Sequence, residues 1–208
     1  MNYKRFSKSS TIWLQRNFRD KYVLEAKEKK LISRSWFKLH EINLKEKIFE
    51  KNMNVVDLGC SPGGWSKYVS RYVSPGGRII SCDIRNMHAI NNVIFYKGDL
   101  LDKNFLSYFL NNVIKMSTDV LMSDMSPNFS GNKCVDISNS INLLKLSFSI
   151  CKKIFLKRGI YIVKVFEGKG LQKYIKILKK FFKKLKIYKL KTSYNKSREL
   201  FVVGRGIK

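Results

Sequence analysis

The sequence predicts an α/β fold: a seven-stranded, mostly parallel sheet with helices on both faces. Short apolar runs alternate with longer mixed segments, the rhythm of repeated strand, helix, strand units. The central runs are continuously rather than alternately apolar, as strands buried on both faces must be. A glycine-rich turn directly follows the first run and opens a segment that can be helical, which is the ligand-binding geometry of an open parallel sheet. With 44% hydrophobic and 13% aromatic residues and only 3 prolines in 208, the chain can build a core and lacks the composition of a disordered protein. No repeat or linker divides it, so residues 1–208 read as one domain with a basic N-terminal arm over 1–35.

The elements follow in order. The arm, MNYKRFSKSSTIWLQRNFRDKY, has no apolar core ahead of a cleavage site and predicts no export. A helical stretch then runs through Leu39. Seven strands follow as NVVDLG, RIISCDI, VIFYKGD, DVLMSDM, GIYIVKVF, KIYKL and ELFVVG, most with β-branched residues and several ending in a glycine or an acid. Only the short stretch TSYNKSR lies near the junction of the last two, which predicts an antiparallel hairpin at or near one edge. Between the fifth and sixth runs, GLQKYIKILKKFFKKLK reads as one amphipathic helix, with Leu171, Tyr174, Ile175, Leu178, Phe181, Phe182 and Leu185 on its apolar face. Such a helix could lie on a membrane surface, but its stripe is also what packing on a sheet requires, and packing is the expectation. No run approaches the roughly 18 apolar residues of a membrane span, so a cytoplasmic protein is expected.

Charge narrows the partners. The formal charge is +27 and the pI near 10.1. It is unevenly spread: +7 over residues 1–35, +3 over 36–151 and +17 over 152–208. Lysine outnumbers arginine 32 to 10 and alanine occurs only at Ala26 and Ala89, so coding bias supplies some of this charge, but bias alone predicts an even spread. A near-neutral middle with cationic ends predicts a reaction core whose arms hold a polyanion, nucleic acid being the obvious one. Solvated lysine faces are the plainer alternative. Cys60, Cys82, Cys134 and Cys151 form no C-x-x-C pair, and only His40 and His88 could join them, so reduced thiols and no metal site are expected.

The glycine turn runs Asp57-Leu58-Gly59-Cys60-Ser61-Pro62-Gly63-Gly64-Trp65. Gly59 and Gly63 would let the backbone approach a ligand, and the amides of the following helix offer donors. Glycines serve turn packing equally well, and the spacing is not the G-x-G-x-x-G of dinucleotide enzymes. Asp83 ends the second strand, where an acid can accept both hydroxyls of a ribose. Asp99 ends the third, in reach of an exocyclic amine, and Asp124 ends the fourth. Each alone would pass for a helix cap; three on one side of a sheet point to a site.

These residues carry a resemblance. The chain resembles the FtsJ/RrmJ ribosomal RNA large subunit methyltransferases through SSTIWLQRNFRDKYV, RSWFKLHEI, VVDLGCSPGGWSKYV, SDMSPNFSG, VKVFEG and KSRELFVVG, nearly its whole length. The resemblance implies a Rossmann-like S-adenosylmethionine-dependent methyltransferase that modifies the ribose 2'-hydroxyl of a uridine in 23S rRNA of the large ribosomal subunit, in the A loop. It further implies cofactor contacts at Gly63, Trp65, Asp83, Asp99 and Asp124, and a lysine, aspartate, lysine, glutamate set at Lys38, Asp124, Lys164 and Glu199. Ser126 stands where the family leads one to expect alanine, without removing a reactive group.

The residues themselves argue part of this. Lys164 sits inside IYIVKVF, and a lysine in a buried strand costs free energy unless something uses it; a strand-end lysine with its ammonium in water is the alternative. Lys38, flanked by Phe37 and Leu39, would pass for a solvent-facing helix residue. Glu199 is one of two acids after residue 151, and an ion pair with Arg198 or Lys196 would explain it. Methylating an alcohol needs an in-line oxygen and a base, and a free lysine near pKa 10.4 is too basic to be mostly neutral. Lys164 is the expected proton acceptor, with the other three orienting groups. Two rivals remain: a nicotinamide-dependent oxidoreductase, and a ribosome-associated binding protein without the reaction. A monomer is expected.

Overall fold

The computed structural model describes residues 20–194 and 197–208. Most of the basic arm, residues 1–19, and position 196 therefore lie outside the described residues. Two short helices lead in: α1 (Lys21–Glu28), capped by the Asp20 carboxylate accepting from the Tyr22 amide at 2.8 Å, and α2 (Ser35–Glu46). Then come β1 (Val55–Leu58), α3 (Gly64–Val73), β2 (Ile79–Asp83), β3 (Val93–Lys97), α4 (Lys103–Val113), β4 (Thr118–Ser123), α5 (Lys133–Ile154), β5 (Phe155–Phe166), α6 (Leu171–Phe181), β6 (Phe182–Tyr188) and β7 (Glu199–Ile207).

The seven strands form one sheet in the order β3-β2-β1-β4-β5-β7-β6. The first five are parallel, whereas β7 runs antiparallel between β5 and β6. Each central strand is divided between two cores by its alternation. Tyr161, Val163 and Val165 pack with Phe148, Leu144 and Phe182 on one face; Ile160 and Ile162 pack with Trp65, Val69 and Phe201 on the other. That two-sided burial is why these runs read as continuously apolar. The chain order reverses between β1 and β4, so a crevice opens beyond their carboxyl ends, where open α/β sheets bind ligands.

One expected element ends early. The helix read through Lys186 stops at Phe181, and Phe182 turns extended to start β6. A periodicity of apolar residues at 178, 181, 182 and 185 fits a helix, but β7 presents an unpaired edge, and seven residues can satisfy their backbone there. Phe182 then stacks flat on Tyr161, centroids 5.8 Å apart, instead of prolonging the helical stripe. Lys183, Lys184 and Lys186 are exposed on the resulting edge strand, where charge discourages further strand pairing. No helix among the described residues is long and apolar enough to cross a membrane.

Candidate active site

The glycine turn occupies the β1 side of the crevice. Gly59 has a left-handed φ of +75°, and a Cβ there would lie 2.8 Å from the Met125 backbone. A Cβ on Gly63 (φ +112°) would lie 2.9 Å from Ile90 and 3.0 Å from Met87. Their missing side chains also let protein segments close on one another, and the turn keeps its backbone as the part that could approach a ligand. Trp65 likewise is buried, its indole N–H donating to the Ser35 carbonyl at 2.9 Å, so its main chain rather than its ring is available to a ligand.

The acids sit as the topology dictates. Asp83, the last residue of β2, accepts from the Ser61 amide on one oxygen (2.9 Å) and the Arg85 amide on the other (2.8 Å). Each oxygen keeps a lone pair for a further donor. Asp99 lies two residues beyond β3, exposed, with one oxygen accepting from the Leu101 amide. Asp124 directly follows β4 and is anchored by its amide donating to the Leu58 carbonyl at 3.0 Å.

Two ion pairs complete the site. Lys164 Nζ donates to the Asp124 main-chain oxygen at 2.6 Å and lies 2.8 Å from Asp124 Oδ1; its side chain is 7% exposed. Lys38 Nζ is 2.8 Å from both carboxylate oxygens of Glu199, one of which also accepts from the Ser193 hydroxyl at 2.6 Å. Phe201 joins the pairs, since it lies opposite Lys164 in the β5–β7 register and its ring centroid is 5.6 Å from Lys38 Nζ. Lys38 is therefore no solvent-facing helix residue, and Glu199 pairs with it rather than with neighbouring Arg198.

Several contributors have no early signal or a neglected one. Ser193 and Lys189, which donates to the Glu199 carbonyl at 3.1 Å, come from the connection between the last strands, and nothing in KLKTSYNKSR marks them. Arg34 clamps that connection, bonded to the Thr192 carbonyl and Asp20 and lying 4.1 Å from the Tyr194 ring. Asp57 had the signal that singles out Lys164, a charged residue within an apolar run. It is fully buried, accepts from the Ser66 hydroxyl at 2.6 Å, and its other oxygen has no partner among the described residues.

Burial pushes the Asp57 carboxyl up from 3.8 to about 7, opposed by the Ser66 hydrogen bond and reinforced by the charges of Asp124 and Asp83. Between those values the folded protein holds a proton the unfolded chain has released. Stability is then expected to fall as pH rises from about 4 to 7, by up to a few kcal/mol. Asp57→Asn keeps the acceptor for Ser66 and should flatten that part of the curve. Urea midpoints from pH 5 to 8 that slope alike in both proteins would contradict it.

A parallel sheet with a glycine turn at its switch point and acids at neighbouring strand ends defines a Rossmann-like α/β fold, with a buried lysine beside the candidate site. The chain belongs to the FtsJ-like methyltransferase family, which matches residues 31–207. It is 43% identical, over the full length of both chains, to the ribosomal RNA large subunit methyltransferase E of Buchnera aphidicola subsp. Cinara cedri (strain Cc). A crystal structure from Plasmodium falciparum, described as a ribosomal RNA methyltransferase, superposes with a TM-score of 0.72 at 28% identity, covering 84% of this chain and 97% of that one. Human methyltransferase-like protein 13, solved in complex with SAH, shares the fold alone, at 14% identity and a TM-score of 0.52 over 74% of this chain and 71% of that one.

Proposed function

We propose that this protein is a monomeric, cytoplasmic, single-domain enzyme that methylates a ribose 2'-hydroxyl of a uridine in 23S rRNA, in the A loop of the large ribosomal subunit, using S-adenosylmethionine. The observation that carries the reading is the pairing of Lys164 with Asp124 in the crevice that the glycine turn also lines. The full-length similarity to a large subunit methyltransferase supports the choice of ribosomal RNA.

The residues fit the cofactor on chemical grounds. Asp83 and Asp124 lie close enough to Asp57 for their charges to act on it, so the crevice is acidic inside a strongly basic chain. That suits a cationic sulfonium better than the pyrophosphate of a nicotinamide dinucleotide, and weighs against the oxidoreductase. Asp83 would hold the ribose hydroxyls on its two free lone pairs, Asp99 the adenine amine on its unbonded oxygen, and the main chain of Gly63 and Trp65 would line the site. The cofactor supplies an electrophilic methyl carbon.

The neutral amine of Lys164 would receive the proton of the acceptor hydroxyl while the cofactor supplies its methyl group to the same oxygen. Asp124 holds the lysine in place through the main-chain hydrogen bond and the ion contact. Lys38, fixed by Glu199, and Glu199, fixed by Ser193, orient the acceptor. The lysines of the carboxyl-terminal quarter and the arm would hold RNA phosphates.

The test is methyl transfer from labelled S-adenosylmethionine to unmethylated large subunits and to their isolated RNA. The expected product is one alkali-resistant phosphodiester at a single uridine, because a 2'-O-methyl group removes the internal nucleophile. Label on a base, or none on either substrate, would refute the reading. In the same enzyme Asp83→Ala should weaken cofactor binding by calorimetry, since unmet ligand hydroxyls lose ~1–3 kcal/mol; unchanged affinity would remove Asp83 from the site.

A further inference from the structure

Beside the crevice is a cleft of about 330 Å³ lined by Phe129, Ile137 and Phe166, with Lys133, Asp136 and Arg198 among its polar walls. We propose that this cleft seats the base of the target nucleotide, taken out of its stack and held against the two phenylalanines. The proposal deepens the reading above and rests on the acceptor being a ribose hydroxyl.

Position is the first argument. Phe166 lies two residues beyond Lys164 on β5, its ring centroid 5.9 Å from Lys164 Nζ. Phe129 is in the turn that follows Asp124, the partner of Lys164. In a nucleotide the base is joined to the carbon next to the one bearing the 2'-hydroxyl. A ribose presenting its hydroxyl to Lys164 thus has its base within reach of these rings.

The second argument is that the cleft has features a core does not need. Phe129 is 59% exposed, and its ring meets Phe166 at 85° with centroids 5.3 Å apart, so the aromatic pair is edge-to-face and open to a flat partner. Bases pulled from RNA are commonly restacked on aromatic side chains while their edges are read by hydrogen bonds. Both kinds of polar partner are present. The side chains of Arg198 and Lys133 have no hydrogen-bond or ion-pair partner among the described residues, although the Arg198 carbonyl accepts from the Glu167 amide at 2.9 Å. Asp136 uses one oxygen to hold the Ser130 amide and hydroxyl, leaving the other as an acceptor.

The experiment compares wild type, Phe129→Ala, Phe129→Leu and Phe129→Trp in single-turnover methylation of unmethylated large subunits, with cofactor affinity and melting temperature measured alongside. Phe129 is exposed, so the variants should fold and bind cofactor as wild type does. Alanine and leucine should both lower turnover or raise the RNA KM by roughly 5- to 150-fold, the value of one base–aromatic stack, while tryptophan restores most of it. Leucine acting like wild type would show that only bulk matters and overturn the proposal, leaving the methyltransferase reading intact. A wild-type enzyme that leaves ribose unmethylated would overturn both.

Discussion

Lys164→Ala should lower methyl transfer by roughly 100- to 10,000-fold, the usual loss for a general base, with cofactor affinity unchanged. The split follows from geometry: among the described residues the Lys164 side chain bonds to Asp124 and to none of Gly63, Asp83 and Asp99, so its removal should not disturb those three proposed cofactor contacts. Loss of the lysine also leaves the Asp124 carboxylate, 18% exposed, without its cation, so melting temperature must be measured to separate chemistry from folding. Lys164→Arg decides the role. Arginine keeps the charge and the contact to Asp124 but cannot surrender a proton in the working range. Near-normal single-turnover rates in the arginine variant would make Lys164 a positioning cation and defeat the base assignment.

Glu199→Ala is expected to lower both stability and turnover. It strips Lys38, 13% exposed, of its counter-ion and the buried Ser193 hydroxyl of its acceptor. Removing one partner of a buried pair typically costs about 3–5 kcal/mol, and the partial exposure here places the loss near the lower end. For a chain of this size that is a fall in Tm of roughly 6–12 °C. The double variant Lys38→Met with Glu199→Gln leaves no unpaired charge and should recover much of the stability without recovering turnover. A Glu199→Ala protein with wild-type Tm and activity would reduce the pair to a surface contact of little worth.

The strands were legible because the central ones are covered on both faces, which concentrates β-branched and aliphatic residues into unbroken runs such as IYIVKVF and DVLM. The acids were legible because residues at the carboxyl ends of parallel strands must converge. The β6 boundary was not: FKKLKIY satisfies a helical stripe and an edge strand equally, and only the pairing partner offered by β7 decides between them. The glycines illustrate the same limit at the site. Their identity announced a special backbone, but whether the missing side chain faced a ligand or Met125 depended on how two distant turns came together.

By itself the sequence determined the fold class, a candidate site at the glycine turn, and the residues that a family resemblance could name, because these are written in local composition and in strand-end residues. Tertiary structure alone decided which charges meet. Lys38 and Glu199 are 161 positions apart and Lys164 and Asp124 are 40 apart, and no periodicity in the chain announces either pair. Their meeting is set by the register of β4 with β5 and of β5 with β7, which places Asp124 beside Lys164 and Phe201 opposite it. Register is a global property, fixed by packing both faces of the sheet at once, since a one-residue slip would turn Lys164 into the opposite core.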